Sequence, residues 1–240
     1  MSATHSPDRR DYQRMKTAED LKRAAGFAAV DRYVRAGTCI GLGTGSTAHW
    51  AIVRTGERVA AGEQIAAVAT SGVTERLCRE LGIPVLAFGE REIDVAIDGA
   101  DEVAADWSLT KGGGGALFRE KAVAIAAGTF VVIVTPEKLV ERLGAFPTPV
   151  EVVPYSLPYV RRRIAAAFGV EVAARGGTAS PFVTDNGNAI LDCAFGMVPD
   201  PAARDAELRA IHGVVATGLF CGLTDAVIVA DPEGVRELLR

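Results

Sequence analysis

Residues 97–121, IDGADEVAADWSLTKGGGGALFREK, bring together the carboxylates of Asp98, Asp101 and Glu102, the amine of Lys111, four consecutive glycines from Gly112 to Gly115, and Glu120 between two cations. These are groups that move protons and stabilise anions. A carboxylate near a lysine feels two opposed effects, since the cation lowers its pKa while burial raises it. Sequence alone leaves that contest open. Four glycines cost roughly 0.5–1 kcal/mol each relative to Ala wherever they are ordered. Close approach of backbone N–H groups to a ligand oxygen would offset that cost. A flexible linker is the plain alternative, but the run lacks a linker's Ser/Thr mixture and an apolar helix follows at once. Asp98 to Asp101 could equally be a solvated turn, and Glu120 a simple helix-dipole partner.

A second group lies in GLGTGSTAHW, where Gly41, Gly43 and Gly45 alternate with Thr44, Ser46 and Thr47 between a strand and a helix. Free N–H groups and hydroxyls at a positive helix end suit a phosphate. An ordinary capped turn is the alternative. Ser46 stands where a dinucleotide fingerprint needs its third glycine, and the next strand ends in ATS without the acid that holds a ribose. No G-K-[ST] follows, so the turn is not a P-loop. His49 reads as a packed helical residue.

Elements must carry these groups to one place. Thr17, with Asp20 three residues on, opens a helix. TCIGLG, QIAAVAT, IPVLAF, IDVAIDG, TFVVIVT and DAVIVAD read as strands, with helices in SGVTERLCRELG and ALFREKAVAIAAG. Alternating strands and helices imply a doubly wound, Rossmann-like α/β unit with a mainly parallel sheet. The loops of Thr44 and Asp98 both follow strand carboxyl ends, where such sheets gather ligands. From Phe146 to Gly218 the order is β-α-β-β-α-β, with a hairpin turning at Asn186-Gly187, which is the ferredoxin-like pattern. The expected division is 17–145 with 219–240 as the larger domain, and 146–218 as a small α+β domain inserted before a last strand and helix. Residues 1–16 read as a disordered polar tail.

The 240 residues are 49% hydrophobic and 23% charged, with a net charge of −4 and no basic run. That gives nucleic acid no electrostatic footing. No stretch is long and apolar enough to span a membrane, and no signal peptide is visible. Cys39, Cys78, Cys193 and Cys221 are spread apart, as reduced cytoplasmic thiols are. With only three histidines, no metal-ligand pair has the usual spacing.

GLGTGSTA, IDGADEV, KGGGGALFREK, FPTPVEVVP, VTDNGNAILD and GVVATGLF stand in the order and spacing of ribose-5-phosphate isomerase type A, a family this chain resembles from Lys16 onward. It departs at Phe118, where Thr is common, and at Gly115, commonly Ala. The resemblance implies interconversion of ribose 5-phosphate and ribulose 5-phosphate without metal or organic cofactor, in a cytoplasmic homodimer or homotetramer. It also implies roles. Glu120 is the base that moves the C2 proton to C1, while Asp98, Asp101 and Lys111 serve the hydroxyls, ring opening and the enediolate. Thr44, Gly45, Ser46, Thr47, Gly99, Ala100, Gly112, Gly113 and Gly114 line the substrate, with Lys22 and Lys138 as further phosphate partners. Competing readings are an isomerase of another sugar phosphate, a non-catalytic sugar-phosphate sensor, and a nicotinamide dehydrogenase.

Overall fold

A computed structural model describes residues 17–177 and 179–240. The expected tail, 1–16, lies outside them. Helix α1 (Ala18–Tyr33) starts at a capping box in which the Thr17 side chain accepts from Asp20 N while the Asp20 side chain accepts from Thr17 N. Strand β1 (Cys39–Leu42), helix α2 (Ala48–Ala60), strand β2 (Ala66–Ala69), helix α3 (Gly72–Glu80) and strand β3 (Val95–Asp98) follow. Next come β4 (Glu102–Ala104), β5 (Leu109–Thr110), α4 (Leu117–Ala126), β6 (Phe130–Val134) and β7 (Leu139–Val140). The chain continues through β8 (Thr148–Val152), α5 (Leu157–Phe168), β9 (Val172–Ala174), β10 (Ala189–Cys193) and α6 (Pro201–Arg209). It ends with β11 (Val214–Thr217), β12 (Leu219–Phe220), β13 (Ala226–Asp231) and β14 (Gly234–Leu239).

The central sheet has six strands in the order β14-β13-β6-β3-β1-β2, all parallel except for β14. Its inner strands are apolar throughout because both faces are covered. Alternate residues divide between two cores. Ile40, Leu42, Val131, Ile133 and Ile228 pack with Ala25, Ala29 and Val30 of α1 and Ala51 and Ile52 of α2. Cys39, Val132, Val227 and Val229 face Val123 and Ala124 of α4 with Leu109 and Phe220. Gly41 allows this second contact, since a Cβ there would stand 2.4 Å from Val123 Cγ1.

A separate antiparallel sheet runs β11-β8-β10-β9. With α5 and α6 it completes the β-α-β-β-α-β order, and Val150, Val152, Val160, Ile164, Leu191 and Leu208 fill its core. The Asn186-Gly187 turn forms: Gly187 N donates to Thr184 O at 2.9 Å, and Gly187 has φ 78°. A third small sheet, β12-β5-β4-β7, lies beneath the site; its two- and three-residue strands leave no periodicity to read.

Two expectations are corrected. IPVLAF provides only an isolated bridge from Val85 to Ala67. The expected last helix is strand β14, paired with β13 from Asp231↔Gly234 to Ala226↔Leu239. The reason is local: Asp231 Oδ1 accepts from Glu233 N at 2.8 Å and Gly234 N at 3.1 Å, which reverses the chain before a helix can nucleate.

Candidate active site

The site is assembled where β1 and β3 end side by side. Asp98, the last residue of β3, faces the β1–α2 loop, where Thr44 N donates to Asp98 Oδ1 at 3.1 Å and Gly99 N donates to the same oxygen at 2.7 Å. Gly43 makes this possible, since a Cβ there would fall 1.9 Å from that oxygen. Lys111 follows β5, its backbone N held by Gly218 O at 2.8 Å. Its ammonium donates to Gly99 O at 2.6 Å and lies 3.0 Å from Asp98 Oδ2 and 3.5 Å from Glu120 Oε1. Glu120 projects from the first turn of α4. All three side chains are at most 4% exposed. Phe220 lies between Lys111 and Lys121, with their Nζ atoms 5.6 and 5.0 Å from its ring centre.

Two carboxylates share one ammonium here, away from water. Burial pushes Glu120 up to about 8; Lys111 opposes that rise, whereas Asp98 and Asp101 add to it. Burial also raises Asp98, against the pull of Lys111 and the two backbone donors. Burial depresses Lys111, but Asp98 and Glu120 outweigh it and its net direction is up. Protonating one carboxylate neutralises the cluster, and the geometry decides which. Among the described residues Asp98 Oδ2 and Glu120 Oε2 are both buried without a hydrogen-bond partner. But Asp98 Oδ1 holds two N–H donors and Asp98 Oδ2 lies 3.0 Å from the ammonium, whereas the nearer Glu120 oxygen is 3.5 Å from it. That difference in donors favours Glu120 as the holder of the proton. Once ionised, Glu120 has an uncommitted oxygen, the requirement for a general base.

The glycine run borders this trio. Asp101 Oδ2 accepts from Gly113 N at 2.8 Å, and a Cβ on Gly113 would collide with that carboxylate at 2.6 Å. Gly114 lies over Thr44, its Cβ position 3.6 Å from Thr44 Cγ2, and that of Gly99 is 3.9 Å from Thr47 Cβ. The loops of Thr44–Thr47, Asp98–Asp101 and Lys111–Gly114 thus converge. Ser46 is exposed, the Thr47 side chain makes no capping bond to α2, and neither hydroxyl has a hydrogen-bond partner among the described residues, so both can meet an anion at that helix end. The Thr44 hydroxyl instead turns inward to Thr70 Oγ1 at 2.7 Å and Ser71 Oγ at 2.8 Å. Gly45 is exposed, and Gly99 and Ala100 are half-buried beside it. Lys22 pairs with Glu19 at 3.7 Å, and both Lys22 and Lys138 lower the pKa of Glu137, so the two ammonium groups lie on one side of the molecule. Among the described residues no cluster of three or more His, Cys, Asp or Glu could hold a metal.

Sequence reasoning missed several supporting side chains. Glu102 is buried away from the trio, accepting from Thr110 Oγ1 (2.7 Å), Gly144 N (3.0 Å) and Phe146 N (2.9 Å). Glu151 accepts from Thr184 Oγ1 (3.0 Å) and Asn188 Nδ2 (2.9 Å) and fixes the turn. That turn docks through Asp185 Oδ2, which accepts from Gly72 N at 2.8 Å. Arg175 reaches the glycine run itself, donating to Gly112 O at 2.8 Å. Glu102, Glu151 and Asp185 lie within motifs the sequence displays, but the contacts that give them and Arg175 their supporting roles reach other segments of the chain.

Residues 66–234 match the model of ribose 5-phosphate isomerase A (phosphoriboisomerase A). A ribose-5-phosphate isomerase A from Roseiflexus sp. is 47% identical over 221 residues, covering 90% of this chain and 94% of the relative. The one from Methanothermobacter thermautotrophicus is 45% identical and covers 93% of this chain and 100% of its own. Among solved structures, ribose 5-phosphate isomerase A from Methanocaldococcus jannaschii superposes with a TM-score of 0.88 at 38% identity, covering 93% of this chain and 100% of that one. A D-ribose-5-phosphate isomerase in complex with phospho-erythronic acid gives 0.89 at 37% identity, with the same coverage.

Proposed function

This chain belongs to the ribose 5-phosphate isomerase A family, and on that premise we propose that it interconverts ribose 5-phosphate and ribulose 5-phosphate with Glu120 as the base. The observation that supports the role of Glu120 is a buried Oε2 with no hydrogen-bond partner among the described residues, on a carboxyl whose other oxygen is 3.5 Å from Lys111, whereas the equally unbonded Asp98 Oδ2 lies 3.0 Å from that ammonium. In the open-chain aldose, ionised Glu120 takes the C2 proton, and the electron pair moves through C2–C1 onto O1. Lys111 and the glycine N–H groups face the enediolate charge. Asp98 and Asp101 carry protons for ring opening and between O2 and O1. Protonated Glu120 then delivers to C1, leaving a ketone at C2 and a hydroxyl on C1. Each preorganised donor contributes roughly 10²–10³-fold and the base roughly 10²–10⁴-fold.

The phosphate is assigned to Ser46 and Thr47 with the N-terminus of α2, and to Lys22 and Lys138. The backbone of Thr44 and Gly45 shapes that end of the site, and Gly99, Ala100 and Gly112 to Gly114 line it. The same reading divides the chain into 17–145 with 219–240, and 146–218, the second carrying the antiparallel sheet. It places the reaction in the cytoplasm, in keeping with four free cysteines, and in a homo-oligomer. No helix among the described residues is long and apolar enough to cross a membrane.

The test is direct. The purified protein, treated with EDTA, is mixed with ribose 5-phosphate and ribulose 5-phosphate formation is followed. Rapid turnover supports the reading; binding without turnover would move the assignment to a sugar-phosphate sensor or to another substrate.

A further inference from the structure

The glycine run is held from outside its own loop. Arg175 follows β9 in the antiparallel sheet, and its Nη1 donates to Gly112 O at 2.8 Å and Gly113 O at 3.2 Å. The guanidinium is itself fixed by a fork to Asp192 on β10, Nε donating to Oδ2 at 3.0 Å and Nη2 donating to Oδ1. Its backbone is pinned too: Arg175 N donates to Ile190 O at 2.9 Å, and Phe182 N donates to Arg175 O at 2.8 Å. Phe182 then closes over the end of the run, standing 2.6 Å from where a Cβ on Gly115 would lie.

Peptide geometry turns this grip into a constraint on the site. In a trans peptide the C=O and the following N–H point in opposite directions. Holding Gly112 O and Gly113 O toward Arg175 aims the N–H groups of Gly113 and Gly114 the other way. Gly113 N does point there, since it donates to Asp101. Gly114 N has no hydrogen-bond partner among the described residues, and Gly114 sits against Thr44. A four-glycine segment has no side chains to set this orientation, and free glycine samples both signs of φ. Arg is suited to the task because its planar fork can bind a carboxylate on one edge and carbonyls on another, which Lys cannot.

We propose that Arg175, locked by Asp192, is a positioning residue that presents the Gly114 amide to the charge developing on the sugar while keeping the Gly113 amide on Asp101. It touches no reacting atom. The proposal rests on the isomerase reading above, and the experiment keeps the two separable. Arg175→Ala and Arg175→Lys are compared with the wild type for ribose 5-phosphate turnover, for inhibition by phospho-erythronic acid, and for amide hydrogen exchange in residues 111–116. For Arg175→Ala the expectation is a fall in kcat of roughly 10- to 100-fold, somewhat less than deletion of a donor itself. KM should stay within about threefold, because the loss is confined to the transition state. Inhibition should weaken in parallel, and exchange in the glycine run should quicken. Added guanidinium ion should restore part of kcat whereas ammonium should not, and Arg175→Lys should recover only a fraction.

If Arg175→Ala does not fold, Asp192→Asn, which keeps the cation and weakens its anchor, must give the same pattern in smaller measure. Unchanged kcat, a rise in KM alone, or unchanged exchange in the glycine run would overturn the proposal. Wild-type protein without turnover would instead overturn the isomerase reading, and the exchange comparison would still decide whether Arg175 orders the glycines.

Discussion

Glu120→Gln should make this protein more stable relative to the wild type as the pH rises from 5 to 8. The folded carboxyl is pushed up from 4.5 to about 8, with burial as the main cause. A carboxyl with a raised folded pKa keeps its proton longer in the folded state than in the unfolded chain. Its contribution is fully present below 4.5 and is lost as the pH rises through about 8. Glutamine is neutral at every pH and escapes that loss. The interval between 4.5 and about 8, at about 1.4 kcal/mol per pH unit and less the half of the group still protonated when folded at pH 8, sets an upper figure of about 4 kcal/mol there. Asp98 is raised as well and competes for the same proton, so the measured difference should lie between about 1 and about 4 kcal/mol. Urea denaturation of both proteins at pH 5, 6, 7, 8 and 9 gives the answer, read as the change in midpoint at constant m. A difference that stayed flat would refute the reasoning. So would one running the opposite way, because Glu120 would then be an ordinary ionised partner of Lys111.

Three further substitutions separate the site from its scaffold. Lys111→Met leaves Asp98 and Glu120 buried without their shared cation, and should cost about 3–5 kcal/mol of stability along with most turnover, read by denaturation and assay of the same preparation. Gly43→Ala puts a methyl 1.9 Å from Asp98 Oδ1 and must displace that carboxylate. It should cost about 1–3 kcal/mol and lower kcat at least about tenfold. Glu102→Ala leaves Thr110 Oγ1, Gly144 N and Phe146 N without their acceptor. It should destabilise by about 2–4 kcal/mol while kcat per folded molecule stays within about twofold, since Glu102 faces away from the trio.

The parallel sheet was legible because apolar runs such as TFVVIVT and DAVIVAD have one use, a strand covered on both faces. The expected helix at the C-terminus failed for the converse reason. GVRELLR has no strong period, and the Asp231 turn, a side-chain effect on two N–H groups, decided its fate. The third small sheet is held together by pairings such as Leu219↔Thr110, far apart in the chain and too short to leave a pattern.

In the site, strand ends sufficed to bring the loops of Thr44 and Asp98 to one place, whereas the grouping of Asp98 with Lys111 and Glu120 was what the family resemblance implied; the three side chains do meet. Direction was not legible. Thr44 lies in the expected loop, yet its hydroxyl turns to Thr70 and Ser71, because those hydroxyls come from the next strand end. Nor could spacing show that the contest over the pKa of Glu120 goes to burial, which depends on the side chain being 3% exposed. Arg175 was invisible for a similar reason: 62 or more residues separate it from the carbonyls it holds.

The central claim is that Glu120 moves the proton between C2 and C1, and steady-state turnover of ribose 5-phosphate by wild type and Glu120→Gln tests it most directly. The account predicts a fall in kcat of roughly 10²–10⁴-fold with KM little changed, because the amide fills the same space but cannot take the proton. Turnover near the wild-type rate would contradict it and assign the base to another residue of the cluster.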